Sequence, residues 1–264
     1  MKNPYLYALL QGFTEISVYS LDFLIGTAQS IGLVGIYIFL WAFVIPATDA
    51  TTIYDRTAYF ILVNGIAMVI GGARYRYAKE INNTIKAGEL SHYLLKPINP
   101  AIFLYIKHLG SRATDIFIGL IFMAAAIIMR PPTSVVSIFF FCLTIITALI
   151  VTASLNLISG SIGFWTTEAN GIKNAFAQVT RLLNGQMLPL RTFKEALGPI
   201  WGASMYLLPF SAVAFTPAML LTVNEITQTE LTYIYSALIW SVLMPLLATL
   251  IWKRGLKHYE GTGS

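Results

Sequence analysis

Long apolar runs decide what this chain can become. From Phe23 to Ile45 no charged side chain appears, and further apolar runs follow from Thr57 to Ala73, Ala113 to Met129, Val135 to Ile158 and Tyr233 to Trp252. A helix needs about 20 residues to cross the hydrocarbon core of a bilayer. A membrane β-barrel would show short segments of alternating polarity, and these runs do not alternate. The chain is 56% hydrophobic and 11% charged, whereas soluble domains carry about 25% charged residues. The pattern predicts an all-α polytopic membrane protein and argues against a water-soluble globule. A single cysteine, Cys142, leaves no disulfide framework or cysteine metal site within one chain. The first residues, with Glu15 and Asp22 and no small-residue cleavage site, do not read as a secretory signal.

The positive charge points to orientation in a membrane and not to nucleic acid, because the basic residues cluster beside the spans. Take a cytoplasmic N-terminus and six crossings. One face then collects Lys2, Arg74, Arg76, Lys79, Lys86, Lys96, Lys107, Arg112, Lys173, Lys253, Arg254 and Lys257; the other collects Arg56, Arg130, Arg191 and Lys194. Cytoplasmic loops carry the excess of lysine and arginine, so both termini are expected inside. Two segments compete for the fifth crossing. Ile172 to Leu190 is interrupted by Arg181, Asn184 and Gln186, and Pro199 to Val223 contains Pro199, Pro209 and Pro217. Three prolines disfavour one straight helix and suit a pair of short half-helices shielded by protein. Charge counting does not choose between the two. Ahead of the first span, within residues 1–22, Leu6, Leu9, Leu10, Phe13 and Ile16 recur at helical spacing. They predict a helix along the membrane surface, either an elbow for the first span or a plain anchor.

The stretch "IKAGELSHYLLKPINP", Ile85 to Pro100, lies in a region from Arg74 to Arg112 that has no run long enough to span. Gly88 can end one helical piece, Glu89 and Ser91 favour the first turn of the next, and Pro97 stops it. A short helix with spare apolar side chains either lies on lipid or docks into a partner's groove. Within the apolar segments, Arg181 costs about 2.5–3.5 kcal/mol at a helix centre, so it should face protein or water. Asn64, Arg181, Asn184 and Gln186 are therefore candidates for a polar substrate pathway, or for hydrogen-bonding glue between helices.

The stretch from Ile85 resembles the cytoplasmic segment of ABC-2 type exporter permeases that run "I..G.L..YLL.P.NP" after the second span. "GQMLPLRTFKEALGPIWGASMYLLPFSAVAFTPAMLL", Gly185 to Leu221, is similar to the same branch's "PL..F......LPF.....P", and "WKRGLKHYEG" to its closing motif. Lys194 and Glu195 depart from it where proline is frequent. The resemblance implies six spans and a pair of membrane subunits, identical or related, bound to two ABC ATPase subunits that carry the ATP and Mg. It also implies a coupling helix whose contacts are Gly88, Glu89, Leu90, Ser91, Tyr93, Leu94 and Leu95, with Glu168 in the Trp165 to Gly171 loop as a second contact. It favours Ile172 to Leu190 as the fifth span and Arg191 to Val223 as an external re-entrant lid. The location implied is a bacterial or archaeal cytoplasmic membrane.

The chain holds no GxxxxGK[ST] phosphate loop, so nucleotide hydrolysis is expected on another chain. His92, His108 and His258 lack the i, i+4 spacing of a metal face and read as solvated or interfacial. A membrane enzyme acting on lipid would need clustered Asp, His or Ser at one interface. An ion-coupled carrier or channel would favour carboxylates inside the spans. Neither pattern is present, and no metal site is expected.

Overall fold

The computed structural model describes residues 3–18, 20–43, 53–71, 76–132, 134–166, 169–188, 190, 198, 204–223 and 225–259. Regular structure among the described residues is entirely helical: α1 (Pro4–Val18), α2 (Ser20–Phe43), α3 (Ile53–Ile70), α4 (Arg76–Lys86), α5 (Leu90–Leu94), α6 (Pro100–Ser111), α7 (Ala113–Met129), α8 (Val135–Ser161) with a 3-10 turn (Ile162–Phe164), α9 (Ala169–Leu183), α10 (Phe215–Thr222) and α11 (Gln228–Leu256). The five expected apolar runs each became a helix. Among the described residues, Leu24–Trp41, Val135–Phe164 and Gln228–Leu256 are long and apolar enough to cross a membrane, and α6 and α7 together pass the same test as a pair bent by 60°. By length and composition alone that makes three crossings, or up to four, against the six expected. At 18 residues, α3 is about 27 Å long, slightly short of a hydrocarbon core of about 30 Å.

Hydrogen bonds at the helix ends give the directions. The Arg112 guanidinium, at the start of α7, donates to the Met68 and Val69 carbonyls at the end of α3 (2.7 and 2.8 Å). Last-turn carbonyls lack intrahelical partners, and the buried arginine satisfies two of them. Gly71 makes room for it: φ is +88°, and a Cβ there would sit 2.5 Å from Arg112 Nη1. At the opposite end of the pair, Arg130 bonds to Asp55 at 2.9 Å and the Tyr54 hydroxyl donates to the Met129 carbonyl at 2.8 Å. The antiparallel helices touch through glycine midway, where a Cβ on Gly119 would lie 2.7 Å from the Gly65 carbonyl oxygen. Small residues of this kind let backbones approach where lipid gives no hydrophobic drive to pair.

In contrast, α8 and α11 run parallel, since their C-terminal ends meet: the Phe164 ring lies edge-on to Trp252 at 5.3 Å, and a Cβ on Gly255 would be 2.8 Å from Phe164 Cε2. Parallel neighbours require the chain between them to return. Residues 169–190 make that return. By Gly185 the chain has reached the first half of α3, where Tyr59 donates to the Gly185 carbonyl (3.3 Å), and by Met187 the end of α2, where Trp41 donates to the Met187 carbonyl (2.9 Å). Residues 204–223 stay at that far end. Trp240 and Ser236 of α11 both donate to the Leu207 carbonyl (2.8 and 3.1 Å). Tyr206, Pro209 and Ser211 are buried in this turn, and the Ser211 hydroxyl shares its proton between the Tyr206 and Leu208 carbonyls (2.6 and 2.8 Å), so a side chain meets backbone groups that the proline turn frees. Residues 191–197 and 199–203, the first part of the expected lid, lie outside the described residues.

The near end is a layer of α1, α4, α5 and α6 against the ends of α8 and α11. Helix α1 presses Ala8 and Gly12 onto α6, where a Cβ on Gly12 would overlap the Lys107 carbonyl oxygen. Its stripe of Leu6, Leu10 and Phe13 is exposed, the orientation an interfacial helix needs to reach lipid. Because α2 begins at Ser20, α1 ends at Val18, short of the residue 22 expected for the first helical segment. His108 departs from the solvated reading. It is buried and stacks on Tyr77 at 5.6 Å.

Candidate coupling helix and polar cleft

Helix α4 is strongly two-faced, with Tyr77, Ala78, Ile81 and Ile85 buried and Lys79 exposed. Its inner face sits on α8 where Gly160 leaves space; a Cβ there would be 2.8 Å from Ile81 Cβ. The Asn156 side chain of α8 accepts from the Ala78 amide (3.4 Å) and donates to the Thr152 carbonyl (2.9 Å), meeting one of α4's unsatisfied first-turn donors. Lys107 of α6 pairs with Glu80 at 2.9 Å. The Tyr77 hydroxyl donates to the Ala101 carbonyl (2.8 Å). Burial first, then the Glu80 carboxylate and Tyr105, push the Tyr77 phenol above its usual range, so it stays protonated.

Gly88 turns the chain after α4 with φ +73°, a left-handed conformation that costs a residue with a Cβ. The residues of α5 and Leu95, which caps it, then present side chains in three directions. Leu90 points inward and is 0% exposed, packed with Ile81, Ile85, Leu104 and Trp252. Tyr93 leans on the Phe103 ring at 5.4 Å and carries the Lys96 ammonium 5.8 Å above its own ring. Leu94 and Leu95 face outward at 44% and 87% exposure, with Glu89 and His92 exposed beside them. Leu90 therefore supports the helix from below, and the outward apolar surface is Leu94 and Leu95. Glu168 lies outside the described residues.

Sequence reasoning missed the group that holds this turn. Tyr259 donates its phenolic proton to the Gly88 carbonyl (2.7 Å) and accepts from the Ser91 amide (3.2 Å), with the Ser91 hydroxyl at 3.1 Å. The only available signal was the aromatic residue in the closing "WKRGLKHYEG" patch, which has no period connecting it to position 88.

At the middle of the bundle the structure gathers the four polar candidates. Gln186 Nε2 donates to Asn64 Oδ1 (3.3 Å), Asn184 Nδ2 donates to Gln186 Oε1 (2.8 Å), and the Gln186 amide donates to Asn184 Oδ1 (3.0 Å). Asn64 Nδ2 in turn donates to the Phe60 carbonyl (3.0 Å). All three amides are buried, and the chain of bonds ties α3 to the end of α9. Gly185, at φ +85°, shapes the turn, and a Cβ there would stand 2.6 Å from the Tyr59 hydroxyl. Asn64, Gln186 and Arg181 line a small cleft of about 30 Å³ together with Leu33, Val34, Tyr37 and Met68. Asn184 stands outside this lining and orients Gln186.

The chain matches the family described as "ABC-2 family transporter protein" over residues 31–263. The protein belongs to the ABC-2 transporter family. No curated protein matches it. It is thus a multi-pass membrane permease subunit of an ABC transporter, of a family that normally works with ABC ATPase subunits and is itself generally not enzymatic. The matched range takes in the turn at Gly88, the polar cleft and Tyr259. Among the described residues of the permease, no group of three or more His, Cys, Asp or Glu is placed to hold a metal ion.

Proposed function

We propose that this permease exports its substrate as one of two paired membrane subunits, identical or related. In this reading each subunit couples to a separate ABC ATPase, which carries the ATP and Mg, through Gly88, Glu89, Ser91, Tyr93, Leu94 and Leu95. The six crossings are α2, α3, α7, α8, residues 169–190 and α11. The layer of α1, α4, α5 and α6 lies on the cytoplasmic side of a bacterial or archaeal cytoplasmic membrane together with both termini, and residues 191–223 form the external lid. Antiparallel packing and the return made by residues 169–190 support the crossings, and the twelve basic residues on one side support the orientation.

One observation carries the coupling reading. Leu94 and Leu95 stand outward on a short helix that Leu90, Tyr93 and Tyr259 hold rigidly. A groove can grip such a knob, and packed elements move as units when it is pushed. Pairing is supported by α2, where added Cβ atoms on Gly32 and Gly35 would meet nothing within 4 Å. Polar Gln29 on α2 and Asn174 and Gln178 on α9 are exposed in the single chain, and polar groups left in hydrocarbon are costly. A second subunit covers them. Asn64, Arg181 and Gln186 then line the substrate pathway between the copies. The test is co-purification of the ABC ATPase with native and Leu94→Asp permease, after both are shown to insert and stay monodisperse. Strong loss of the ATPase from Leu94→Asp is expected. Full retention, with transport intact, sinks the coupling reading.

A further inference from the structure

We infer that Tyr259 is a positioning residue that latches the coupling turn to the last helix, so that a push on α5 is delivered to α11. This rests on the proposed coupling role of α5. The phenol has a single proton, and its shortest contact, 2.7 Å to the Gly88 carbonyl, takes it. The oxygen is left as an acceptor for the Ser91 amide, and the Ser91 hydroxyl at 3.1 Å must then be a donor. One oxygen thus holds both sides of the turn that Gly88 creates, the carbonyl leaving it and the amide that opens α5.

The phenol is backed by the Phe164 ring, which also packs on α11. Phe164, just past α8, lies edge-on to Tyr259 at 6.2 Å and to Trp252 at 5.3 Å, and Gly255 of α11 admits the Phe164 ring. Trp165 faces His258 at 5.9 Å. Tyr259 follows α11 by only three residues, and its own amide bonds back to the Leu256 carbonyl (3.4 Å). The hydroxyl therefore moves with the end of α11, and α5 is bonded to it. Among the described residues, Leu90 and Tyr93 also pack α5 against the bundle, and the turn itself is closed by the Ser91 amide donating to the Gly88 carbonyl (3.3 Å).

Hydrogen–deuterium exchange on Tyr259→Phe tests this in two arms. In the isolated permease, loss of one hydroxyl should speed exchange across Gly88 to Leu95 by about three- to tenfold, the range expected for one hydrogen bond, while the melting midpoint stays near native. Ser91→Ala, which leaves the bond to Gly88, should give a smaller change. In the complex with the ABC ATPase, trapping with ATP and vanadate should alter exchange in both Gly88–Leu95 and Trp252–Tyr259 of the native permease. In Tyr259→Phe the change should stop at Leu95, an effect that a merely structural role does not produce. Unchanged exchange at Gly88–Leu95 in the first arm, or full propagation to Trp252–Tyr259 in the second, overturns the latch. Leu94→Asp run in parallel separates the two ideas. If it keeps the ATPase, the coupling reading and the latch fall together; if it loses the ATPase and Tyr259→Phe behaves as native, only the latch falls.

Discussion

Three leucines that look alike in the sequence of the coupling segment should behave in three different ways, and Leu95→Ala is the most informative. Fully burying a leucine contributes about 1.5–3 kcal/mol. Leu95, at 87% exposure, keeps nearly all of that for a partner, Leu94 at 44% keeps about half, and Leu90 at 0% keeps none. Alanine retains about a third of the side-chain area, so Leu95→Ala should weaken ATPase binding by about 1–2 kcal/mol. That is about 5- to 30-fold in Kd. Leu94→Ala should cost about half that free energy, or about two- to fivefold. Leu95→Ala should leave the melting midpoint near native, because exposed substitutions usually stay within about 0.5 kcal/mol, and Leu94→Ala should lower stability by only about 0.5–1 kcal/mol, the share of its burial already made in the fold. Leu90→Ala should do the reverse, destabilising the permease by about 2–5 kcal/mol through a cavity beside Ile81, Ile85 and Trp252. The assay is titration of the ABC ATPase onto nanodisc-embedded permease, with a melting curve for each variant. A Leu95→Ala permease that binds within twofold of native, or weakens less than Leu94→Ala, refutes the assignment of this face.

The amide chain should behave as a coupled unit: in a double-mutant cycle of Asn64→Leu and Gln186→Leu, unfolding in detergent should give a coupling of about 0.5–1.5 kcal/mol, and a value near zero would mean the 3.3 Å contact contributes nothing. Arg181→Leu should leave insertion intact and change transport or substrate range, whereas a lipid-soluble probe at position 181 that reports full acyl-chain exposure in the assembled transporter would remove Arg181 from the pathway. Gly119→Val should destabilise by about 1–3 kcal/mol, since even a Cβ falls 2.7 Å from the Gly65 carbonyl oxygen; a native melting midpoint would show that α3 and α7 are not in contact. Burial, then the Arg112 and Arg76 charges, hold the His108 imidazole well below its usual range. The unfolded chain then binds the proton more readily, so stability is full above about pH 6.5 and falls as pH drops towards the folded value. His108→Gln should flatten that slope in melting curves taken between about pH 7.5 and 5.

Much of the architecture is a local property and could be read residue by residue. An uncharged run such as Val135 to Ile158 has no stable alternative to a helix in or beside lipid, because its backbone groups must bond to one another. Gly88 and Pro97 punctuate the chain whatever surrounds them, and α5 appears between them as expected. The alternation of α4 between buried Ile81 and exposed Lys79 is likewise carried by the period of the helix.

Tertiary structure decided which apolar face meets protein and which meets lipid. In water the hydrophobic side of a helix is the packed side. In a bilayer both sides are apolar, and close packing falls to small residues. Hence the conspicuous Leu6, Leu10 and Phe13 of α1 point outward while Ala8 and Gly12 make the contact, and Gly65 meets Gly119 at a site that no hydrophobic period marks. A different reason separates Leu90 from Leu94 and Leu95: the burial of Leu90 depends on Trp252, which arrives from more than 150 residues away in the chain. Asn64 finds Gln186 and Gly88 finds Tyr259 only once α8 and α11 lie parallel and residues 169–188 have turned back along the bundle. A hydrogen bond between distant residues leaves no periodic trace in either segment, so these contacts exist only in the folded chain.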